Sequence, residues 1–354
     1  MNMKKSLLAL SVLGLAAGAA CAQSSVTMFG IVDVNLSRGT GSVSDKTQFL
    51  RGGLNSNRLG FRGTEDLGGG MSASFWLEAG MDTDDGEGQP TNSNNQASGT
   101  GAAVAGRQGL TFARRSTVSL AGNWGEIRLG RDYTPQYWNL VNGDPFGNVG
   151  VGASIHYTAI ITGPTNTRAS NSASYFTPNT LGGFGVQVTH YLGENNSGAA
   201  TSKDGTGTGI RGTYDSGPLG AGIGWGRTKY AAGDTEQRNA YLSWKFAMAK
   251  VMGVYVSDSN GTVDARGGTV GVIVPVGVGE IKGAYSRYRF STVGEPTAIK
   301  LAVGYVHNLS KRTAVYTTFA RVKNSGGSAL ALNGAVTGAN ASSSGFDLGL
   351  RHSF

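Results

Sequence analysis

The chain has 354 residues, a formal net charge of +8, and 58 glycines against only 8 prolines. Its mean hydropathy is −0.16, and after the first segment no stretch approaches the roughly 18 continuous apolar residues that a membrane-spanning helix needs. The single cysteine, Cys21, lies in a segment predicted to be removed, so the mature protein is not expected to form disulfides or cysteine-based zinc sites. Basic residues are spread along the chain, which argues against a nucleic-acid partner.

The first 22 residues have the composition of a secretory signal peptide. Lys4 and Lys5 supply a positive start, residues 7–15 supply an apolar centre, and residues 20–22 supply a small-residue cleavage site. The apolar segment is too short for a membrane-spanning helix. We therefore predict that residues 1–22 are removed on export, and the loss of two lysines lowers the formal net charge from +8 to +6.

The predicted mature domain is residues 23–354, beginning at Gln23. A competing interpretation of the first segment is a lipid anchor on Cys21. The anchor motif normally has an aliphatic residue three positions before the cysteine, and Gly18 stands there instead. A cleaved leader is therefore the favoured interpretation.

An exported chain without a second long apolar segment is either soluble or embedded in a membrane as a β-barrel. A barrel strand needs only about 10 residues of alternating character, so a search for apolar runs does not detect it. The glycines here lie among valine, threonine and aromatic residues at short intervals, which is typical of strands joined by turns. The composition therefore favours an all-β fold.

The predicted strands follow one another from residue 26 to the end of the chain. One of them shows the pattern clearly, because Phe75 and Leu77 alternate with Trp76 and Glu78 after a tight turn at residues 65–70. The predicted strands cover residues 26–37, 58–62, 71–78, 112–120, 126–131, 168–176, 184–191, 208–214, 219–229, 237–246, 250–257, 266–274, 280–290, 297–307, 313–323 and 345–354. About sixteen strands, with short turns alternating with longer loops, predict a transmembrane antiparallel β-barrel.

Two long connections interrupt the strands. The first, residues 80–108, begins with four carboxylates, which are either a Ca²⁺ site or a solvated acidic loop: Asp82, Asp84, Asp85 and Glu87. The second, residues 132–167, carries large apolar side chains: Tyr133, Trp138, Leu140, Phe146, Val149, Val151 and Ile155. A loop packed against a wall needs such groups, and wall side chains alone do not fill a barrel of this width. We therefore predict that residues 132–167 fold inward and constrict the lumen.

The last predicted strand is amphipathic up to the final residue. Its apolar face includes Phe346 and Phe354, and these positions alternate with a face that includes Asp347 and Arg351. A closed barrel pairs its last strand with its first, which removes both sheet edges. We therefore expect residues 345–354 to pair with the first strand in antiparallel register.

Several segments combine into a specific pattern. They are Ser25-Val26-Thr27, Phe29-Gly30-Ile31-Val32-Asp33, Arg58-Leu59-Gly60-Phe61-Arg62-Gly63-Thr64-Glu65-Asp66-Leu67-Gly68-Gly69-Gly70, Phe75-Trp76-Leu77-Glu78, Arg114-Arg115-Ser116-Thr117-Val118-Ser119-Leu120, Gly125-Glu126-Ile127-Arg128-Leu129-Gly130-Arg131-Asp132, Tyr175-Phe176-Thr177-Pro178 and the terminal Phe354. Together they resemble the trimeric general porins of Gram-negative bacteria, in the β-proteobacterial branch, and particularly the anion-selective members of the Delftia/Comamonas group. The resemblance runs through the mature chain and is densest over residues 25–132.

The resemblance implies an outer-membrane, sixteen-stranded homotrimer whose third extracellular loop folds into the pore. It implies passive diffusion of small hydrophilic solutes and ions, with a weak preference for anions, among outer-membrane lipids that include lipopolysaccharide. In the anion-selective members, arginines line the narrowest zone. Matched residue by residue, these fall on Arg58, Arg114 and Arg168, and the acidic residues said to sit opposite fall on Glu78 and Asp347.

The resemblance extends to the third loop and the last residue. Where many members have a Pro-Glu-Phe-Gly-Gly-type segment, this chain departs from the pattern and has Asp144, Pro145, Phe146 and Gly147. These four residues are the predicted constriction-loop segment. The resemblance also implies that the barrel-insertion machinery recognises the last strand through Phe354.

Arginine suits the proposed lining because it stays charged at any working pH and its weakly hydrated charge can contact an anion without trapping it. Strict alternation, however, puts Arg115 in the lumen and Arg114 on the opposite face, so the resemblance requires a bulge or a register change between them. Three further arginines are predicted to be supporting charges on the lumen wall: Arg62, Arg128 and Arg131.

Other classes of function fit less well. A substrate-specific channel for a small anionic solute is the main alternative, because a barrel identifies its fold more readily than its solute. A soluble sheet protein or adhesin does not explain the amphipathic last strand. The four histidines, His156, His190, His307 and His352, show no catalytic triad pattern. No catalytic residue, metal site or cofactor is predicted.

Overall fold

The computed structural model describes residues 25–99, 109–154 and 163–354. The strands in this part are β1 Ser25–Thr40, β2 Lys46–Arg51, β3 Arg58–Gly68, β4 Met71–Gly80, β5 Arg115–Gly122, β6 Gly125–Tyr133, β7 Arg168–Phe176, β8 Phe184–Tyr191, β9 Gly207–Ser216, β10 Leu219–Thr228, β11 Thr235–Lys245, β12 Lys250–Ser259, β13 Asp264–Val276, β14 Gly279–Phe290, β15 Thr297–Asn308, β16 Thr313–Ser325 and β17 Ser343–Ser353. One α-helix, α1, covers Pro135–Asn142, and short 3-10 segments cover Ala97–Gly99 and Gly163–Asn166. Within these described ranges, no helix has the length and apolar character needed to cross a bilayer.

The strands form one closed antiparallel sheet. From β3 to β17 each strand pairs with the next one in the chain, and β1 pairs with β17, as predicted, from Ile31 opposite Ser353 to Thr40 opposite Ser344. The 16-residue β1 is long enough to pair on its other edge with both β2 and β3, which lie end to end along it. The barrel therefore has sixteen strand positions although seventeen segments are counted in the described chain, and the sixteen-stranded prediction is confirmed.

The two faces of the wall differ as the alternation predicts. On β10 and β11, Ile223 and Leu242 point outward with exposed fractions of 69% and 59%, whereas Tyr241 and Ser243 on β11 point inward and are buried. Large apolar side chains exposed on one face of successive strands suit lipid rather than water. This outward apolar face makes the soluble alternative untenable.

The barrel ends differ in the length of their connections. At one end the turns are tight, as in the β3–β4 turn, where Gly68, Gly69 and Gly70 all have positive φ values of 77°, 61° and 78°. Glycine adopts these angles without a steric penalty, and the Asp66 carboxylate accepts a hydrogen bond of 2.8 Å from the Gly68 amide. The long connections lie at the opposite end, which is the extracellular end in single-chain outer-membrane barrels.

The predicted connection 132–167 is the third connection at this end of the barrel, and we call it the third connection. It runs from residue 134 to residue 167, because β6 continues two residues beyond the predicted strand end. It contains α1, which alternation did not predict and which packs against β9, β10 and β11 on the inner wall. Proline at the first helical position suits a helix start, because the missing amide would have had no partner.

Beyond α1 the same connection stays inside the barrel. Phe146 and Val151 are buried in an apolar cluster with wall residues of β12 to β16, among them Val256 and Val322. The predicted inward fold of this connection is therefore confirmed for the described residues. The predicted contact of Ile155 and the predicted leader, residues 1–22, both lie outside the described residues.

Candidate functional site in the barrel lumen

Three arginines and one carboxylate meet around Tyr133 on the lumen side of the wall. Arg114 Nε donates to Glu78 Oε1 at 2.6 Å, and Arg58 Nη1 lies 3.4 Å from the same oxygen. Arg114 Nη2 and Arg168 Nη2 both donate to the Tyr133 hydroxyl, at 2.7 and 2.6 Å. We call Arg58, Arg114, Arg168, Glu78 and Tyr133 the arginine cluster.

Strand register brings this cluster together from positions far apart in the sequence. Arg58 begins β3 and Arg168 begins β7, whereas Tyr133 ends β6, where it is opposite Arg168. Glu78 lies two residues before the end of β4, opposite Arg115, and Arg114 directly precedes β5. Four strands and the residue that precedes β5 thus place one side chain each at the same height, toward the end with long connections.

Arg114 and Arg115 both reach lumen-side groups without a bulge between them. The predicted strand 112–120 is wrong at its start, because β5 begins at Arg115 and strand alternation does not govern Arg114. The Arg114 amide donates to the Glu78 carbonyl at 3.0 Å. Arg115 lies 4.6 Å above the Trp76 ring and 3.5 Å from Asp132. The register irregularity in this region lies instead between β6 and β7, at Gly130.

Glu78 is not placed across the water column from the arginines. Its side chain is 5% exposed, and its carboxylate contacts Arg58 and Arg114 directly and accepts a 3.1 Å hydrogen bond from Trp76 Nε1. The expectation of an opposed carboxylate is therefore wrong for this residue. Wall neighbours at one height contact each other, whereas residues across an open lumen do not.

Asp347 was also expected to lie opposite the arginines, but it is bonded to the third connection instead. It is buried on β17, where it accepts a 3.0 Å hydrogen bond from the Val151 amide and a 2.8 Å bond from Asn333. On β15, Lys300 Nζ donates to the carbonyl oxygens of Val151, at 2.9 Å, and Ala153. Two charged wall residues, on β15 and β17, thus anchor the third connection to the inner wall.

The segment 144–147 forms the turn that presents this anchor. Asp144 accepts hydrogen bonds from three amides: Phe146 at 2.9 Å, Asn148 at 3.1 Å and Ser154 at 2.8 Å. A side chain at Gly271 on β13 would overlap Pro145, so the turn lies close against the inner wall. Gly147 has a φ of 62°, which glycine readily adopts. These residues hold the connection in place against the inner wall.

The three supporting arginines have different surroundings. Arg62 lies 5.2 Å above the Phe29 ring and 5.0 Å above the Trp76 ring. Arg128 lies 4.2 Å above Phe176 and pairs with Glu126 and Asp132 at 2.9 and 2.7 Å, which offsets its charge.

Arg131 was predicted to be a supporting charge on the lumen wall, but its guanidinium group is held by hydrogen bonds to neighbouring protein groups. It donates to the Ala113 carbonyl at 2.6 Å, to the Asn92 carbonyl at 3.2 Å and to Ser170 Oγ at 2.8 Å. Asn92 belongs to the connection between β4 and β5, and its side-chain Nδ2 donates to Gln96 of the same connection. Arg131 therefore fastens a loop to the barrel, which differs from its predicted role.

Sequence reasoning did not assign Tyr133, Lys300 or Arg211 to the site. The Tyr133 ring lies beneath Arg168 at 4.2 Å and stacks on Tyr137 of α1 at 5.2 Å. Arg211 Nε donates to Asn139 of α1 at 2.7 Å. The available signal for Tyr133 was its place at the junction of a strand and an apolar connection. For Lys300 and Arg211, the available signal was a positive charge at a lumen-facing position of a strand.

The acidic segment after β4 is not arranged as a metal site. Asp82 pairs with Arg51 and Asp84 and Asp85 are exposed. Throughout the described ranges, no three His, Cys, Asp or Glu side chains form a group that could hold a metal ion. Residues 100–108 of this connection lie outside the described residues.

Comparison of the sequence with known proteins identifies a matching family and two similar proteins. A model of the Gram-negative porin family matches residues 9–327. The chain is 38% identical to outer membrane porin protein 32 of Delftia acidovorans, over 99% of this chain and 100% of that protein. It is 27% identical to an outer membrane porin protein of Bordetella pertussis, over 91% of this chain and 95% of that protein.

Solved structures agree in fold. The anion-selective porin from Comamonas acidovorans has a TM-score of 0.81 and 36% identity, and the match covers 94% of this chain and 100% of that chain. OmpF of Salmonella typhi has a TM-score of 0.66 at 13% identity, with coverage of 94% and 98%, and this likeness shows the fold alone.

Proposed function

The chain belongs to the Gram-negative porin family, and we propose that its channel passes small hydrophilic solutes and ions with a weak preference for anions. The family and the closed barrel identify an outer-membrane channel and point away from an enzyme. The name of the Comamonas relative, an anion-selective porin, agrees with the proposed preference.

The observation that carries the proposal is the charge balance of the arginine cluster. Three guanidinium groups meet one carboxylate, and within the described ranges Arg168 has no ion pair with any carboxylate. A low-dielectric wall magnifies such an excess, because two unit charges about 4 Å apart interact by about 4 kcal/mol at an effective dielectric of about 20. An anion entering this zone is attracted, and a cation is repelled.

The zero-current potential across a planar bilayer in a salt gradient tests this proposal. Replacing Arg58 and Arg168 with serine removes two charges while leaving polar side chains. The anion-over-cation permeability ratio should fall toward unity, most clearly at low salt where screening is weak. Conductance should change less than the ratio, because the lumen stays open.

A matched control removes two charges from the opposite face of the wall. Arg321 and Lys323 on β16 point outward and are exposed, so Arg321→Ser with Lys323→Ser should keep the wild-type potential. Cation preference in the wild type, or an unchanged potential in Arg58→Ser with Arg168→Ser, would refute the proposed role. A current that saturates with one anionic solute would favour the substrate-specific alternative.

The proposal includes assembly as a homotrimer, contact with outer-membrane lipids including lipopolysaccharide, and insertion by the barrel-insertion machinery. Membership of the family supports these partners. It also includes export with cleavage after residue 22. The intact mass of the mature protein and of its native oligomer tests both parts, since a start at Gln23 and a threefold mass are expected.

A further inference from the structure

The outer face of the barrel carries a groove of about 900 Å³ across β11 to β14. Its floor lies where outward positions have small residues: Ala240, Gly253 and Gly268. Register aligns them, because Ala240 is opposite Tyr255 and Tyr255 is opposite Gly268. The volume lies within the range of about 300–1,000 Å³ usual for ligand pockets.

Apolar side chains form the walls of this groove. They are Leu242, Trp244, Val251, Tyr255, Val270 and Tyr285. All six are exposed on the outer face, with fractions from 40% for Val251 to 62% for Val270. A groove of this composition on a lipid-facing surface suits a hydrocarbon chain, because apolar atoms leave the bilayer for an apolar surface at no cost in hydration.

Three arginines stand at the end of the groove nearest the long connections. Arg266 on β13 is opposite Arg289 on β14, and Arg287 is opposite Gly268 of the groove floor. Like charges directly opposite each other on a sheet are destabilising. Arg289 pairs with Glu295 at 2.8 Å, but within the described ranges neither Arg266 nor Arg287 is in an ion pair. In the described part of the chain, these two guanidinium groups therefore have no carboxylate at ion-pair distance.

We propose that this groove binds a phosphate-bearing lipid, with an acyl chain along the apolar walls and the phosphate on Arg266 and Arg287. This inference rests on the membrane position in the proposed function, which places the long connections and these arginines at the outer headgroup level. Phosphate supplies the missing negative charge, and guanidinium groups bind it by charge-assisted hydrogen bonds.

Native mass spectrometry of the purified oligomer in detergent tests the site by titration. The probes are dipalmitoyl phosphatidylglycerol, dipalmitoylglycerol without a phosphate, and inorganic phosphate. The wild type should bind the phosphorylated lipid most tightly. Arg266→Ser with Arg287→Ser should weaken that binding at least about tenfold and bring it close to the binding of dipalmitoylglycerol.

Two further variants separate charge from shape. Ala240→Phe fills the groove with an apolar side chain suited to a lipid-facing position, and it should weaken the binding of both lipids. Arg321→Ser with Lys323→Ser removes the same number of outward charges away from the groove and should bind like the wild type.

The proposal is overturned if the Arg266 and Arg287 variant binds phosphatidylglycerol as the wild type does, or if the β16 control loses as much affinity. It is also overturned if inorganic phosphate competes equally well, since the acyl chain then contributes nothing. A change of oligomer mass in Ala240→Phe with unchanged lipid binding would instead assign the groove to a second copy of the chain.

The zero-current potential distinguishes this inference from the proposed function. Arg266→Ser with Arg287→Ser should keep the wild-type potential, because both side chains lie on the outer face. If the wild type prefers anions but binds phosphatidylglycerol no more tightly than dipalmitoylglycerol, the lipid site is rejected and the proposed selectivity stands. Lipid binding without anion preference would reject the proposed selectivity alone.

Discussion

At the residue scale, the lumen wall orients arginines in two ways that have opposite electrostatic results. Arg128 contacts two carboxylates, so its charge is offset locally. Arg168 instead lies on the Tyr133 ring and donates to its hydroxyl, which orients the guanidinium group without neutralising it. Orientation by a ring thus leaves a fixed charge available to a passing ion.

Glu78 is the carboxylate that tempers the arginine cluster, which leads to the first prediction. Glu78→Gln keeps the shape of the side chain and removes its charge. The permeability ratio should shift further toward anions, by on the order of one RT or about threefold, because the positive potential at this point is no longer offset. The zero-current potential in a salt gradient measures the change.

Glu126→Gln is the matched control, because Glu126 pairs with Arg128 outside the arginine cluster. It should give a smaller shift. Glu78→Gln should also destabilise the barrel, since Arg114 stays buried without its partner. An unchanged or more cation-preferring channel in Glu78→Gln would contradict the idea that this cluster governs selectivity.

At the element scale, the third connection behaves as part of the wall. Helix α1 is attached near one end, where Gln136 Nε2 donates to Gln237 and Asn139 Nδ2 donates to Asn239, each at 2.9 Å. Its far part is attached through Lys300. Because both parts are bonded to strands on the inner wall, the connection lies along that wall inside the barrel.

The second prediction concerns the anchor at Lys300. Lys300→Met leaves the carbonyl groups of Val151 and Ala153 without their donor, at a cost of about 1–3 kcal/mol each. We expect a lower unfolding temperature and more frequent closures under voltage steps, because the connection is held less firmly. Heat-dependent mobility in detergent gels and single-channel recording measure the two effects.

Lys282 on the neighbouring β14 provides the control, since it pairs with Glu280 at 3.2 Å. Lys282→Met removes the same charge and should leave voltage closure as in the wild type. If both lysine variants close alike, lost lumen charge accounts for the effect and the anchor does not.

The third prediction concerns closure by β17. Backbone hydrogen bonds of 3.1 Å join Phe354 to Gly30 in both directions, and a side chain at Gly30 would overlap the Phe354 ring. Deleting Phe354 removes this last pair of bonds and exposes an edge. The yield of folded oligomer in the outer membrane should fall, as quantified from membrane fractions.

Gly30→Ala is expected to impair closure as well, whereas Gly30→Ala combined with Phe354→Ala should recover part of the folded yield, because the smaller residue removes the overlap. A wild-type yield from the deletion would count against a role for Phe354 in assembly. Recovery by the double variant would show that the ring acts through packing on Gly30.

At the scale of the whole molecule, the barrel separates a charged interior from an apolar exterior. Fixed interior charges act over a distance that depends on salt, with a screening length of about 10 Å at 0.1 M and about 3 Å at 1 M. In a water-filled lumen an ion passes at some distance from the wall. Salt screening therefore sets how strongly the fixed wall charges act on the ion.

The fourth prediction follows from that screening. The permeability ratio of the wild type should fall steadily as the mean salt concentration rises from about 0.1 to about 1 M at a constant gradient. Zero-current potentials over this series measure the trend. A ratio independent of salt would point to direct ion binding or to size as the source of selectivity, and would weigh against fixed charges.

Strand number, closure and the inward third connection could be predicted from the sequence because they depend on local patterns. Alternation identifies a strand wherever one face is apolar, and apolar residues such as Phe146 in a long connection indicate packing. Helix α1 was missed because it is short, begins at Pro135 only two residues after the end of β6, and lies within a segment predicted to be a loop. Segment β2 was missed because it has only six residues and its two apolar residues, Phe49 and Leu50, are adjacent and do not alternate with polar ones.

The arginine cluster needed the tertiary structure. Family resemblance indicated Arg58, Arg114 and Arg168, but their contact with Glu78 on one side of the lumen depends on the register of five strands. Alternation could not place Arg114, since it lies just outside β5, and it could not show that Asp347 holds a loop. Local sequence thus determined which face each strand residue takes, whereas distances between residues far apart in the chain were decided by register and barrel closure.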